Sequence, residues 1–527
     1  QAIVLGGTRA PRGLVFVGDP DPVLGGTVPV GGVKPDKNNF APRVGFAYSL
    51  GEDSLFNRGF FKKVIGENQT VVRAGFGVYY GAIIGDTALQ QLSAPGFNGT
   101  NSFFFPASGT LADPFGPDPY PNYNGNQGQI SNPFTASQFA IQTILTQFSQ
   151  PIDPNLKTPQ TTQFNATLER GFAKNYVFGV SYVGSRGRKL YVREQINPSL
   201  GTFLPGSLRR EGVATLNTTQ FGVIPNVTTS NSNSRRLNDD VRLGLTQLTA
   251  GGNSQYDSLQ VNFQKRFSND GLLFQVAYTF SKSLTDADTQ RGQLDLLDRK
   301  FGRSLSSDDH PHRLVGSFIY ELPFFKNSSG LTKRLLGGFG IGGIYQYQSG
   351  DLITVANTVD TTGTGGAILS NADLGSAQFQ ALDGVQNDRR GFNANTFKSF
   401  NCARTVTIVG GGTVTNVLGT ATADCPNGPR RGTSGFNQFR LDNPLNNFDF
   451  IATKRLKLFS ERNNLELRFE AFNLLNKTQF TTINTNLNNV FRNPDGTINE
   501  TDPRTSFGRY TDQRESRSIQ LGARLNF

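Results

Sequence analysis

About eleven stretches of this chain alternate apolar and polar side chains with a period of two, rather than the 3.6 of an amphipathic helix. Residues 161–172, TTQFNATLERGF, set Phe164, Ala166 and Leu168 against Gln163, Asn165, Thr167 and Glu169. Residues 258–267 set Leu259, Val261 and Phe263 against Gln260, Asn262 and Gln264. In residues 463–473, Leu465, Leu467, Phe469 and Ala471 alternate with Glu466, Arg468 and Glu470. The other stretches are residues 41–50, 71–80, 175–184, 272–281, 312–324, 340–350, 448–459 and 518–527. No run of about 18 apolar residues is present to carry a helix across a membrane. Hydrophobic content is only 36%, which would permit disorder, but 44 phenylalanines argue against it, because disordered chains are poor in aromatics. The expected class is therefore all-β, with antiparallel strands having one apolar and one polar face.

Alternation alone does not separate a soluble sandwich from a membrane barrel, since both present one apolar face. The lengths of the connections do. Short joints near residues 174 and 269, from 326 and from 460 alternate with long ones at about 84–160, 192–253, 285–311, 351–445 and 476–514. Short turns at one end and long loops at the other are the plan of an up-and-down transmembrane β-barrel, with short periplasmic turns and long extracellular loops. The long loops are rich in Gly, Asn, Thr, Ser and Pro, and no secondary structure is assigned to them. Closure follows from lipid offering the backbone no hydrogen-bond partner, so a spanning sheet can have no free edge. The apolar face then meets outer-membrane lipid and lipopolysaccharide, and the polar face lines a wet lumen. The lumen-facing candidates are Arg43, Arg73, Gln163, Asn165, Glu169, Gln260, Asn262, Gln264, Glu466, Arg468, Glu470, Gln520 and Arg524. In hydrocarbon their charges would be costly.

The chemistry of sites is sparse. His310 and His312 stand beside Asp308 and Asp309 in SSDDHPHRL, but Pro311 divides the pair, and the segment reads as a loop entering a strand rather than a metal site. Neither histidine has an evident serine nucleophile. Glu466 and Glu470 lie about 13 Å apart along one strand, too far for paired carboxylate catalysis. No metal, cofactor or enzymatic activity is expected. Cys402 and Cys425 flank a Gly/Thr/Val segment and are disulfide candidates if the loop is extracytoplasmic; two free thiols are the alternative. A net charge of +11 is spread along the chain, which makes nucleic acid the weakest of its explanations. Tyr79, Tyr80, Tyr182, Tyr278, Phe324 and Phe325 are candidates for an interfacial aromatic girdle.

The chain ends on SRSIQLGARLNF, in which Leu521, Leu525 and the final Phe527 resemble the C-terminal signal read by the barrel-assembly machinery. APRGLVFVGDPD, NNFAPRVGFAYS, TVVRAGFGVYYG, NSQYDSLQVNFQKRFSNDGLLFQVAYTFSKS, HRLVGSFIYELPF and LRFEAFNLLNKTQF together resemble the TonB-dependent outer-membrane receptors of the Oar type. These carry a carboxypeptidase-regulatory-like domain and a plug ahead of the barrel. The resemblance implies about 11 strands of a barrel of about 22, with this chain as its C-terminal half. Residues 1–37 are then the remnant of an extracellular loop, and residues 38–527 the C-terminal part of the barrel. It also implies TonB as a partner through a missing N-terminal region, and uptake or handling of an unknown extracellular ligand. The absence of methionine is consistent with a fragment or a processed form, and strand parity with an odd number of strands upstream. An open, curved sheet or a strained small barrel is expected, with unpaired edges at residues 40–50 and 516–527. A passive porin or an adhesion scaffold is the alternative function.

Overall fold

The computed structural model describes most of residues 33–50, 69–81, 152–196, 246–288, 302–357, 372–401, 404–408, 412–417, 423–425, 431–458 and 463–527, with a few short pieces elsewhere. Eleven strands follow one another in a single antiparallel sheet: β1 (Arg43–Leu50), β2 (Thr70–Tyr80), β3 (Gln160–Phe172), β4 (Tyr176–Gln195), β5 (Thr246–Lys265), β6 (Leu272–Thr285), β7 (His312–Glu321), β8 (Phe339–Gln348), β9 (Leu445–Lys457), β10 (Asn464–Phe472) and β11 (Ser518–Asn526). Each pairs with its neighbours in chain order, the up-and-down plan expected from the connections. Among the described residues β1 and β11 pair with one neighbour each and lie at the two ends of this order.

The registers put the apolar sets in line across the sheet. Phe76 stands opposite Phe164, Leu168 opposite Val180, and Val180 opposite Val261. Phe263 faces Val276, and Phe469 faces both Ala452 and Leu521. A one-residue slip anywhere would send a whole set to the other face, so the alternation itself fixes the pairing. Nothing among the described residues forms a second layer over this face. Val44 is 69%, Leu168 51% and Leu521 77% exposed.

The short-turn end is tightly made. Lys265 donates to Asp270 Oδ1 at 2.7 Å, Ser268 Oγ at 3.0 Å and the Leu272 carbonyl at 2.8 Å. Gly271 adopts φ +74°, and a Cβ there would lie 2.6 Å from the Glu321 carbonyl oxygen. Phe172, Tyr176, Phe263 and Phe274 pack ring to ring on the apolar face beside this turn, with centroids 5.2 to 6.4 Å apart.

Three features depart from the sequence reading. β4 and β5 run for 20 residues each, so the connection between them is shorter than 192–253. A tilted spanning strand needs about 9–11 residues, and because this hairpin is tight at its other end the surplus projects at the long-loop end. Register shifts between Gly187 and Val192 mark the projecting part. Second, the β7–β8 joint contains a helix, α1 (Gly330–Leu336). Third, the long loops are not featureless where they are described. Among the described residues they form a buried apolar cluster: Ile353, Val355, Ala372, Phe392, Ala394, Phe397, Leu441, Phe480, Leu487, Ile498, Phe507 and Tyr510.

Candidate functional site

The face opposite the aligned apolar sets carries the polar residues. Arg73 pairs with Glu169 at 2.8 Å, both well exposed. The Arg43 guanidinium lies 4.6 Å from the centre of the Tyr79 ring. Tyr79 therefore sits on the polar face, not in a lipid-side girdle, because it shares strand parity with Arg73. Tyr80, Tyr182 and Tyr278 have the opposite parity, as a girdle at the long-loop end requires. Phe324 and Phe325 are exposed at the short-turn end.

Gln163, Asn165 and Glu169 share the Arg73 face of β3, and Gln260, Asn262 and Gln264 share one face of β5, where Gln260 donates to Ser258 Oγ at 3.4 Å. On β10, Arg468 Nε donates to Glu466 Oε1 at 2.7 Å, Arg455 Nε lies 3.5 Å from Glu466 Oε2, and Glu470 is 4.0 Å from Arg468. Arg524 stands opposite Glu466 and Gln520 opposite Glu470 across the β10–β11 ladder. The exposed Arg73–Glu169 pair contributes about 0–1 kcal/mol, while the buried Glu466 carboxylate is shared between two half-exposed arginines. Their consequence is a wall of alternating donors and acceptors rather than added stability. Asn447 and Asp449 on β9, bonded at 2.9 Å, belong to the same face and were missed from sequence. The signal was there, since they alternate with Phe448 and Phe450.

At the long-loop end this face leads to a cap built from the β8–β9 and β10–β11 connections. Its centre is aromatic: Phe392 meets Phe397 and Phe507 edge-on at 5.5 and 5.3 Å, Phe397 meets Phe439 at 5.0 Å, and Phe480 stacks on Tyr510 at 4.7 Å. Edge-to-face and offset rings at these spacings are favourable beyond their burial. Backbone bonds stitch the two loops, Gly391 N–H to the Gly508 carbonyl at 2.8 Å and Tyr510 N–H to the Arg389 carbonyl at 2.7 Å. The buried Arg390 guanidinium donates to the carbonyls of Phe507 and Glu500. Burial pushes the Tyr510 hydroxyl well above the ordinary tyrosine range.

An ion pair fastens the cap to the β6–β7 connection beside the sheet. Arg440 donates to Asp309 Oδ2 at 2.6 Å, to the Asp309 carbonyl at 2.7 Å and to the Gly350 carbonyl at 2.6 Å, and Asp309, 2% exposed, also accepts the Ser283 N–H at 2.6 Å. Asn437 adds bonds to the Leu305 carbonyl at 2.8 Å and to Asp288 at 3.2 Å. Two long connections, β6–β7 and β8–β9, thus meet at Asp309 beside the Ser283 amide of β6. His310 is spent on the Ser349 carbonyl at 2.9 Å, and His312 on the Tyr278 hydroxyl at 2.7 Å. Among the described residues no group of three or more His, Cys, Asp or Glu side chains is placed to hold a metal. Cys425 is buried and disulfide-bonded; Cys402, the only other cysteine of the chain, lies outside the described residues.

The family model described as "Outer membrane beta barrel domain" matches residues 4–520. The chain belongs to this family of outer membrane β-barrel domains. Its apolar face is accordingly the lipid face, its location is the outer membrane, and its long loops are extracellular. No curated protein matches it. Solved structures similar to it include the outer membrane transporter YddB from Escherichia coli, at 9% identity and TM-score 0.36, covering 87% of this chain and 39% of that one. The P. aeruginosa protein FpvA bound to heterologous pyoverdines has 10% identity and TM-score 0.38, with 93% and 33% covered. The FrpB iron transporter from Neisseria meningitidis has 10% identity and TM-score 0.35, with 92% and 38% covered. The chain thus spans between about a third and two fifths of the length of these structures.

Proposed function

We propose that this barrel domain is part of a TonB-dependent receptor of the Oar type, in which the extracellular cap captures a ligand and the polar face lines its path inward. The reading is of a binding and transport role, without bond-making chemistry. The observation that carries it is the junction of two surfaces: a cap with its own aromatic core, pinned through Arg440 to Asp309, at the outer end of a face bearing Arg73–Glu169 and the Arg455, Glu466, Arg468 and Glu470 cluster. A recognition surface needs loops held in one shape by a scaffold, and a path for a polar solute needs groups that replace its water without binding it tightly. Arg43, Gln163, Asn165, Gln260, Asn262, Gln264, Gln520 and Arg524 are assigned to that path. Energy is proposed to come from TonB through sequence upstream of residue 1, insertion from the barrel-assembly machinery reading Leu521, Leu525 and Phe527, and loop closure from a Cys402–Cys425 disulfide.

Planar-bilayer recording of the complete protein tests the reading without knowledge of the ligand. A receptor carrying a plug is expected to show no standing conductance and to cross-link to TonB in cells. A steady open channel with no TonB adduct would overturn it in favour of a passive porin.

A further inference from the structure

We infer that the β7–β8 connection is a membrane-interface anchor, with the leucines of α1 seated among the acyl chains of the periplasmic leaflet and its basic residues among anionic phospholipid headgroups. The inference needs the outer-membrane barrel but not the transport reading. A short-turn connection facing water should be polar. This one instead exposes Phe324 (60%), Leu331 (71%), Leu335 (57%) and Leu336 (48%). Leu331 and Leu335 are four residues apart and share one side of the helix.

Two further observations say what covers them. The exposed leucines run on into the lipid face of the sheet, because Phe339 stands opposite Lys454, which stands opposite Leu467, and all three have lipid-side parity. Lys454 would be costly there unpaired, yet its ammonium is satisfied by backbone carbonyls. It donates to the Leu335 carbonyl at 2.9 Å and to the Gly337 carbonyl, and lies 4.2 Å from the centre of the Phe339 ring. A lysine on the last carbonyls of a helix satisfies both partners, and it holds the C-terminal end of α1 on the lipid side of the sheet. Charge gives the second argument. Residues 322–339 include Lys326, Lys333 and Arg334 and no acidic residue, the composition that anionic headgroups attract.

Residues 1–527 contain no tryptophan, so in the complete protein, excited selectively at tryptophan, Leu331→Trp or Leu335→Trp is read as a difference spectrum against the unsubstituted protein. Each variant would be reconstituted in vesicles of phosphatidylethanolamine and phosphatidylglycerol, with and without brominated acyl chains. Leu168→Trp on the lipid face and Leu374→Trp in the cap serve as references. Seating at the headgroup–acyl boundary predicts blue-shifted emission, about two-fold quenched by bromine, as for Leu168→Trp and unlike Leu374→Trp. More phosphatidylglycerol should deepen the quenching. Unquenched emission at both helix positions overturns the inference: water-like emission would mean a free turn, and blue-shifted emission a protein covering, such as a second copy. Quenching indifferent to phosphatidylglycerol would overturn the headgroup part.

Discussion

Replacing Arg440 with methionine should loosen the cap without unfolding the sheet. The substitution keeps an unbranched chain and removes three hydrogen bonds, one of them to a carboxylate that is 2% exposed. Stripping a partner from a buried charge costs about 3–5 kcal/mol. Arg440 itself is a quarter exposed, so water can partly replace it, and Asp309 keeps its bond from the Ser283 amide. The lower bound, about 3 kcal/mol, is the better figure, and at 1.4 kcal/mol per factor of ten it corresponds to roughly a hundred-fold rise in local opening. Hydrogen exchange in detergent or nanodiscs reads this directly. Amides of residues 351–357 and 431–444 should lose protection, while those of β5, β6 and β10 keep theirs. The double variant Asp309→Asn with Arg440→Met, which removes both charges of the pair, should recover part of the loss. Unchanged exchange in the cap would refute the pinning role. So would an equal loss across the sheet, because cap and barrel would then be one cooperative unit.

Further outcomes can be checked separately. Phe392→Ala, at a fully buried ring, should cost the cap about 3–5 kcal/mol and expose it to protease, leaving heat-modifiable migration intact. Phe76→Arg on the lipid face should cost about 2–4 kcal/mol in barrel stability, whereas Asn165→Arg on the polar face should be near neutral; urea titration in vesicles compares them. The Asp270 carboxyl in the β5–β6 turn is held at about 2, chiefly by its bond from Lys265, below its ordinary value of 3.8. A depressed folded-state value means that its contribution is whole above the ordinary value and lost as pH falls from about 4 through about 2. Protection of the Leu272 amide, which donates to Asp270 at 3.2 Å, should follow that window.

The sheet was legible because lipid and lumen demand opposite chemistry of neighbouring residues, which writes a period of two into every spanning segment. Phe469 between Arg468 and Glu470 needs no partner to be assigned a side. The reading failed where that demand stops. The projecting ends of β4 and β5, GSRGRKLYVREQ and TQLTAGGNSQYD, lie beyond the lipid, where polar Glu194, Gln195 and Thr249 are buried along with Val192 and Leu248, so the strict alternation lapses and the glycine and polar residues there resemble a loop. α1 is too short to show its own period. Phe392, Phe397 and Phe507 sit singly among Gly, Asn and Thr, and a core assembled from two loops has no local pattern. Asp309 and Arg440 are 131 residues apart and share no motif. Tyr79 was misplaced because two adjacent tyrosines look alike until the register decides which faces lipid.

The central claim, that one face of this sheet meets lipid and the other water, is tested most directly on β10. Spin labels placed singly from Leu465 to Phe469 in the vesicle-reconstituted protein would be probed by collision with oxygen, which concentrates in hydrocarbon, and with a nickel chelate, which stays in water. Residues 465, 467 and 469 should favour oxygen, and residues 466 and 468 the chelate. Uniform accessibility, or the inverse alternation, would contradict the account.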